Sequence, residues 1–235
     1  MSFLLDHVCF IADKGSVRFQ DLLEQISIIQ GICGSICYTY KYNESNIDNN
    51  LFYSYYGLPP FNRNPVYKLS YKEYFSTRAF AVVLNHLESF KIVSKKDPNN
   101  WSMICEDDIL IDDKNNFANN LELIFNDKPQ DSDILWVSSG KRDLNCTYRN
   151  ITGEDPSSSL NYKCDTRFFK VSESRYADCV LLKNSVAEKF LKEAEIYKIS
   201  YPIDWEYNFW LKNNPQINSY WLQPAIIRQN PKFLN

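Results

Sequence analysis

Short apolar runs alternate along this chain with segments of helical period, and turn residues or acids follow the runs directly. Residues 7–12 (HVCFIA) give way to Asp13-Lys14-Gly15-Ser16, after which Phe19, Leu22, Leu23, Ile26 and Ile29 recur at helical spacing, a βα unit. Residues 36–42 (ICYTYKY) alternate and are rich in β formers, which predicts a second strand. Residues 74–93 gather Phe80, Val83, Leu84, Leu87 and Phe90 on one helix face, and residues 101–105 (WSMIC) form a strand. A helix over 117–125, a strand over 133–138, a strand within 176–183, a helix over 185–197 and a strand over 219–222 complete the series. Such an order predicts an α/β sheet, whose ligand crevice lies at the carboxyl ends of its strands. Residues 43–64, rich in Asn, Tyr and Pro, predict a long loop, and residues 141–174 a polar excursion or lid. No internal repeat or shift in composition marks a second domain.

Glycine narrows the chemistry. Only 6 of 235 residues are glycine, where a usual share of about 7% would give about 16. Neither GxGxxG nor GxxxxGK[ST] occurs, so no backbone cradle for phosphate is expected. With only His7 and His86 available, a two-histidine zinc site would need both. The 26 basic and 29 acidic side chains give a net charge of −3, which argues against nucleic acid as a partner. Mean hydropathy is −0.42, and no apolar run approaches the ~18 residues that a membrane span needs. Asp6 interrupts the amino-terminal residues before a secretory apolar stretch forms, which predicts a cytoplasmic location. The 7 cysteines contain no CxxC pair and read as reduced, packed thiols, with Cys33 and Cys37 spaced for one helix face.

Glu106-Asp107-Asp108 follows the 101–105 strand directly, at the sheet edge where ligands bind. In extended chain Glu106 and Asp108 would point one way and Asp107 the other. Oxygen-rich groups of this kind suit Mg²⁺ or Mn²⁺, a metal that often shares its shell with substrate phosphates. A solvated turn, continued by Asp112 and Asp113, is the competing reading.

In these surroundings the chain resembles glycosyltransferase family 25, the lipopolysaccharide and collagen sugar-transferase group with relatives in large DNA viruses. Asn85-His86-Leu87 is similar to that family's Ser-His-Leu helix, and Ile104-Cys105-Glu106-Asp107-Asp108 to its Leu-Glu-Asp-Asp metal motif. Asp133-Ile134-Leu135-Trp136-Val137 resembles its Asp-Ile-Leu-Tyr-Leu strand, and Ser185-Val186-Ala187 stands at its Gly-Ala helix. Pro202-Ile203-Asp204-Trp205 resembles its Pro-Val-Asp segment, while Arg18 is similar to its early arginine. These short matches run in order from Val8 to Gln229; the family's Gly-Cys is replaced by Arg78-Ala79-Phe80, and Asn85 stands where serine is expected.

The resemblance implies a single GT-A type domain over 1–235, a mixed central sheet flanked by helices. Its nucleotide-binding half would cover about 1–140 and its acceptor-side half about 141–235. It also implies a nucleotide sugar, UDP- or GDP-linked, as donor, a glycan or glycoprotein hydroxyl as acceptor, and Mn²⁺ or Mg²⁺ on Asp108 and Glu106. Arg18, Asp107, Arg78 and His86 fall on the donor side. Asp204 is the candidate base for an inverting transfer and Asp178 the reserve, with a helix N-cap the competing role for Asp204. His86 could instead bond a carboxylate near the metal or be a satisfied core residue, and Trp205 is the tryptophan chosen for stacking on a sugar. Rival readings are a nucleotidyltransferase or phosphohydrolase using the same acids, and an inactive sugar-binding relative.

Overall fold

A computed structural model describes residues 4–56, 76–138, 168–171, 177–223 and 225–233. Seven strands form one mixed sheet: β1 (Leu5–Ile11), β2 (Cys33–Tyr38), β3 (Trp101–Glu106), β5 (Ile134–Trp136), β6 (Phe168–Val171), β7 (Cys179–Lys183) and β8 (Ser219–Leu222), in the order β2-β1-β3-β7-β5-β8-β6. The pairs β1/β2, β1/β3 and β5/β8 are parallel, whereas β7 runs against both β3 and β5, and β6 against β8. A separate antiparallel pair joins β4 (Ile109–Ile111) to β9 (Ile227–Gln229). The expected mixed α/β sheet flanked by helices is therefore what the chain forms.

Helices cover both faces, which explains why the central strands are apolar on both sides. On one face α3 (Thr77–Val93), α5 (Asn184–Tyr197) and α6 (Ile203–Asn213) bring Phe80, Phe90, Phe190, Tyr207 and Trp210 against Cys9, Ile104, Trp136 and Val180. On the other, α1 (Val17–Ile29) and α4 (Phe117–Asp127) bring Leu22, Ile26 and Leu121 against Val8, Phe10, Met103 and Leu181. Starts are set locally: the Ser16 hydroxyl accepts the Phe19 N–H and the Ser76 hydroxyl the Ala79 N–H, each fixing a first turn.

Several local expectations change. Within the expected loop lie a 3₁₀ turn (Glu44–Asn46) and α2 (Asn49–Tyr55), because Asn43 and Asp48 cap them through their side chains. Cys33 and Cys37 share a strand, not a helix, and Cys37 lies opposite Cys9 in the β1/β2 ladder with its sulfur 2.7 Å away. An even separation puts two residues on one face of a strand as readily as four does on a helix. The 141–174 excursion falls outside the described residues except for β6, a strand the polar composition concealed. No helix among the described residues is long and apolar enough to cross a membrane.

Candidate metal-binding site

The site grows from the end of β3. In the β3/β7 ladder Cys105 faces Cys179, and one step on the Glu106 N–H donates to the Asp178 carbonyl at 2.8 Å. Glu106 and Asp178 are thus directly opposite on adjacent strands, and their side chains leave the same face of the sheet. The chain then turns through Asp107 and Asp108 into β4, which swings the Asp108 carboxylate back toward the pair. Glu106, Asp108 and Asp178 each offer an oxygen within 4.8 Å of the others, the only such group of three among the described residues.

Electrostatics show how poorly these acids tolerate one another. Asp178 is pushed up to about 8, by burial first and then by the charges of Glu106 and Asp108. Glu106 is likewise pushed up to about 8, by burial first and then by Asp108, Asp107 and Asp204. Because 24% of the Glu106 side chain still meets solvent, water screens part of that burial and the neighbouring charges carry more of the rise. Asp108 is only 4% exposed. Its Oδ2 accepts the Gln229 amide at 2.6 Å and lies 3.6 Å from Arg18, while its Oδ1 is buried with no hydrogen-bond partner.

An orphaned carboxylate oxygen and two carboxyls raised by burial and by the charge of neighbouring acids are what a bound cation would relieve. Ligand oxygens on opposite sides of a Mg²⁺ lie about 4 Å apart, so a small inward movement closes the group on such an ion. The all-oxygen donor set suits Mg²⁺ or Mn²⁺ over Zn²⁺. The residues therefore fit the metal that the sequence implied, with Asp178 joining the expected pair.

Around this centre Arg18, early in α1, donates to Asp107 Oδ1 at 3.1 Å. Asp107 is raised by burial against the lowering effect of Arg18. His86 of α3 is fully buried, with Nε2 3.3 Å from Glu106 Oε1 and Nδ1 3.2 Å from the Tyr207 hydroxyl. Burial lowers it to about 3, so the ring is neutral. When Glu106 is ionised, Tyr207 donates to Nδ1 and the ring proton on Nε2 donates to the carboxylate. Of the roles open to His86 in the sequence, bonding a carboxylate of the cluster and being a satisfied core residue are both met by this geometry.

Asp204 is not a cap. Pro202 precedes the helix, and Asp204 lies within the first turn of α6, where the helix dipole favours an acid. Its charge reaches both Glu106 and Asp178. Arg78 stands exposed at the start of α3, and its charge acts on the Tyr40 hydroxyl, which also feels Asp13 and Asp107. Trp101, Trp136, Trp210 and Trp221 are buried, which leaves Trp205 as the tryptophan with partly accessible surface. Sequence reasoning has Asp178 as the reserve base rather than a partner of the metal pair, and Gln229 as the end of a Pro224 to Gln229 match to the resembled family's closing Pro-hydrophobic-Gln rather than as a contact of Asp108. The available signal was that Asp178 directly precedes an apolar strand, as Glu106 ends one.

No family model matches the chain, and no curated protein matches it. Among solved structures, mouse xyloside xylosyltransferase 1 in its apo form is similar at 8% identity over 97% of each chain, with a TM-score of 0.41. At that score the likeness carries neither fold nor function to this chain.

Proposed function

We propose that this chain is a metal-dependent, inverting glycosyltransferase of GT-A type, moving a sugar from a UDP- or GDP-linked donor to a hydroxyl of a glycan or glycoprotein. The observation that carries the reading is the group Glu106, Asp108 and Asp178, within 4.8 Å at the sheet's carboxyl edge, with an unpartnered Asp108 oxygen. Family resemblance in the Ile104 to Asp108 motif supplies the donor class. A chain with six glycines and no phosphate loop needs another partner for a diphosphate, and a bound Mn²⁺ or Mg²⁺ supplies that charge as a Lewis acid.

The residues divide the remaining work. Glu106, Asp108 and Asp178 hold the ion, which removes Asp178 from service as a base. Arg18, oriented by Asp107, offers a guanidinium beside the diphosphate position, and His86 fixes the Glu106 carboxylate from below. Asp204 takes the proton of the acceptor hydroxyl as its oxygen bonds the anomeric carbon and the bond to the diphosphate breaks. Trp205, next to Asp204, offers a ring face to a sugar. Arg78 is assigned to the donor.

A thermal-shift screen of nucleotide sugars with and without Mn²⁺ tests this. At a hundredfold excess over Kd, the true donor adds ~2.7 kcal/mol of stability by mass action, and the gain disappears without metal. Failure of every nucleotide sugar to shift the Mn²⁺-loaded chain contradicts the proposal. So does release of pyrophosphate or free phosphate in place of an intact nucleoside diphosphate.

A further inference from the structure

Gln229 ends β9 opposite Ile109, one residue beyond Asp108. Its side-chain amide donates to Asp108 Oδ2 at 2.6 Å; the opposite orientation would set an amide oxygen against a carboxylate oxygen. The next residue holds the same acid by its backbone, the Asn230 N–H donating to the Asp108 carbonyl at 2.6 Å. Beyond it, the Lys232 ammonium contacts both carboxylate oxygens of Asp21 on α1, at 3.0 and 2.7 Å. The Phe233 ring lies 5.0 Å from the Arg18 guanidinium, the same group that pairs with Asp107. Residues 227–233 are therefore fastened to β4, to Asp108, to α1 and to Arg18 in succession.

The chemistry of the Gln229 contact is selective. An amide donor engages one carboxylate oxygen without adding charge to that of Arg18, 3.6 Å from the same oxygen; a lysine in its place would add a second cation to compete with the ion. With Oδ2 engaged by Gln229, Oδ1 is left buried and unpartnered beside Glu106 and Asp178. We propose that residues 227–233 complete the metal site, with Gln229 as a positioning residue that holds Asp108 Oδ2 and presents Oδ1 to the ion, and with Lys232 and Phe233 anchoring the segment. The inference rests on the metal reading given above and extends it to a part of the chain that carries no acid of the cluster.

Mn²⁺ affinity, read from the electron paramagnetic resonance signal of the free ion, tests it in the intact protein without any substrate. Gln229→Leu should weaken binding about 10- to 100-fold, the range for partners that orient a metal ligand. The metal-free melting temperature should fall as well, since buried Asp108 Oδ2 loses its donor; a merely structural strand end would lower it and leave the affinity alone. The double variant Lys232→Ala/Phe233→Ala keeps Gln229 and should weaken binding in the same direction by a smaller factor, so the test survives if Gln229→Leu fails to fold. Wild-type affinity in either variant overturns the proposal. A wild-type chain that binds no Mn²⁺ overturns the metal reading itself, a different result from wild-type binding that the variants leave unchanged.

Discussion

Asp6 and Glu106 stand at opposite ends of the β1-β3-β7 centre of the sheet, and their neighbours differ in kind. At the Asp6 end, Asn100 donates to Oδ1 at 3.0 Å and Asn184 to Oδ2 at 3.2 Å. Asn184 also donates to the Asp97 carbonyl and accepts the Ser102 hydroxyl at 2.7 Å. Donors and acceptors match there, and one carboxylate is shared by two amides. At the Glu106 end three carboxylates converge, two are raised to about 8, and one buried oxygen has no partner. A satisfied network holds a fold together, whereas an unsatisfied one of like charge costs stability that only a ligand returns.

If the comparison is right, variants at the two ends separate affinity from stability. The largest effect belongs to Asp108→Asn, which should reduce Mn²⁺ affinity by on the order of 100-fold or more, beyond the about 10- to 100-fold of an outer partner. It should leave the metal-free melting temperature unchanged or higher, since it removes a buried like charge. Smaller, and opposite in kind, is Asn184→Ala. It deprives Asp6 of one donor and leaves the buried Ser102 hydroxyl without its acceptor, at about 1–3 kcal/mol for such a loss. The urea midpoint should fall while Mn²⁺ affinity stays at the wild-type value. Loss of stability in Asp108→Asn comparable to that in Asn184→Ala would erase the distinction.

The sheet was legible because its strands are apolar on both faces and its helices keep their period. Phe19 through Ile29 and Phe80 through Phe90 announce α1 and α3 within two or three residues of their observed ends. Less legible were β4 and β9, three-residue strands whose pairing joins segments more than a hundred residues apart, a contact that no local pattern carries. The same limit hid part of the site. Glu106 and Asp108 are neighbours in sequence, but Asp178 reaches them only through the antiparallel β3/β7 register, and Gln229 only through β4/β9. Geometry also replaced one argument: strand alternation does not separate Asp107 from its neighbours, since the chain turns there and Arg18 draws Asp107 aside. At Asp204, the cap preference of Asp yielded to Pro202, whose fixed backbone begins the helix two residues earlier.

The most direct test of the account is a calorimetric titration of the metal-free chain with Mn²⁺ from about pH 6 to about pH 9, in buffers of different ionisation heat, because binding at carboxyls raised to about 8 must displace protons. Glu106 and Asp178 are both raised to about 8, and the Glu106 charge is part of what raises Asp178; below about pH 8 the metal-free site keeps protons that the ion must expel, and above it they are already gone. The account predicts one ion per chain, an affinity that climbs as pH rises toward about 8 and then levels, and a proton release that shrinks over the same interval. Absence of binding, or binding of constant affinity with no proton release, would contradict it.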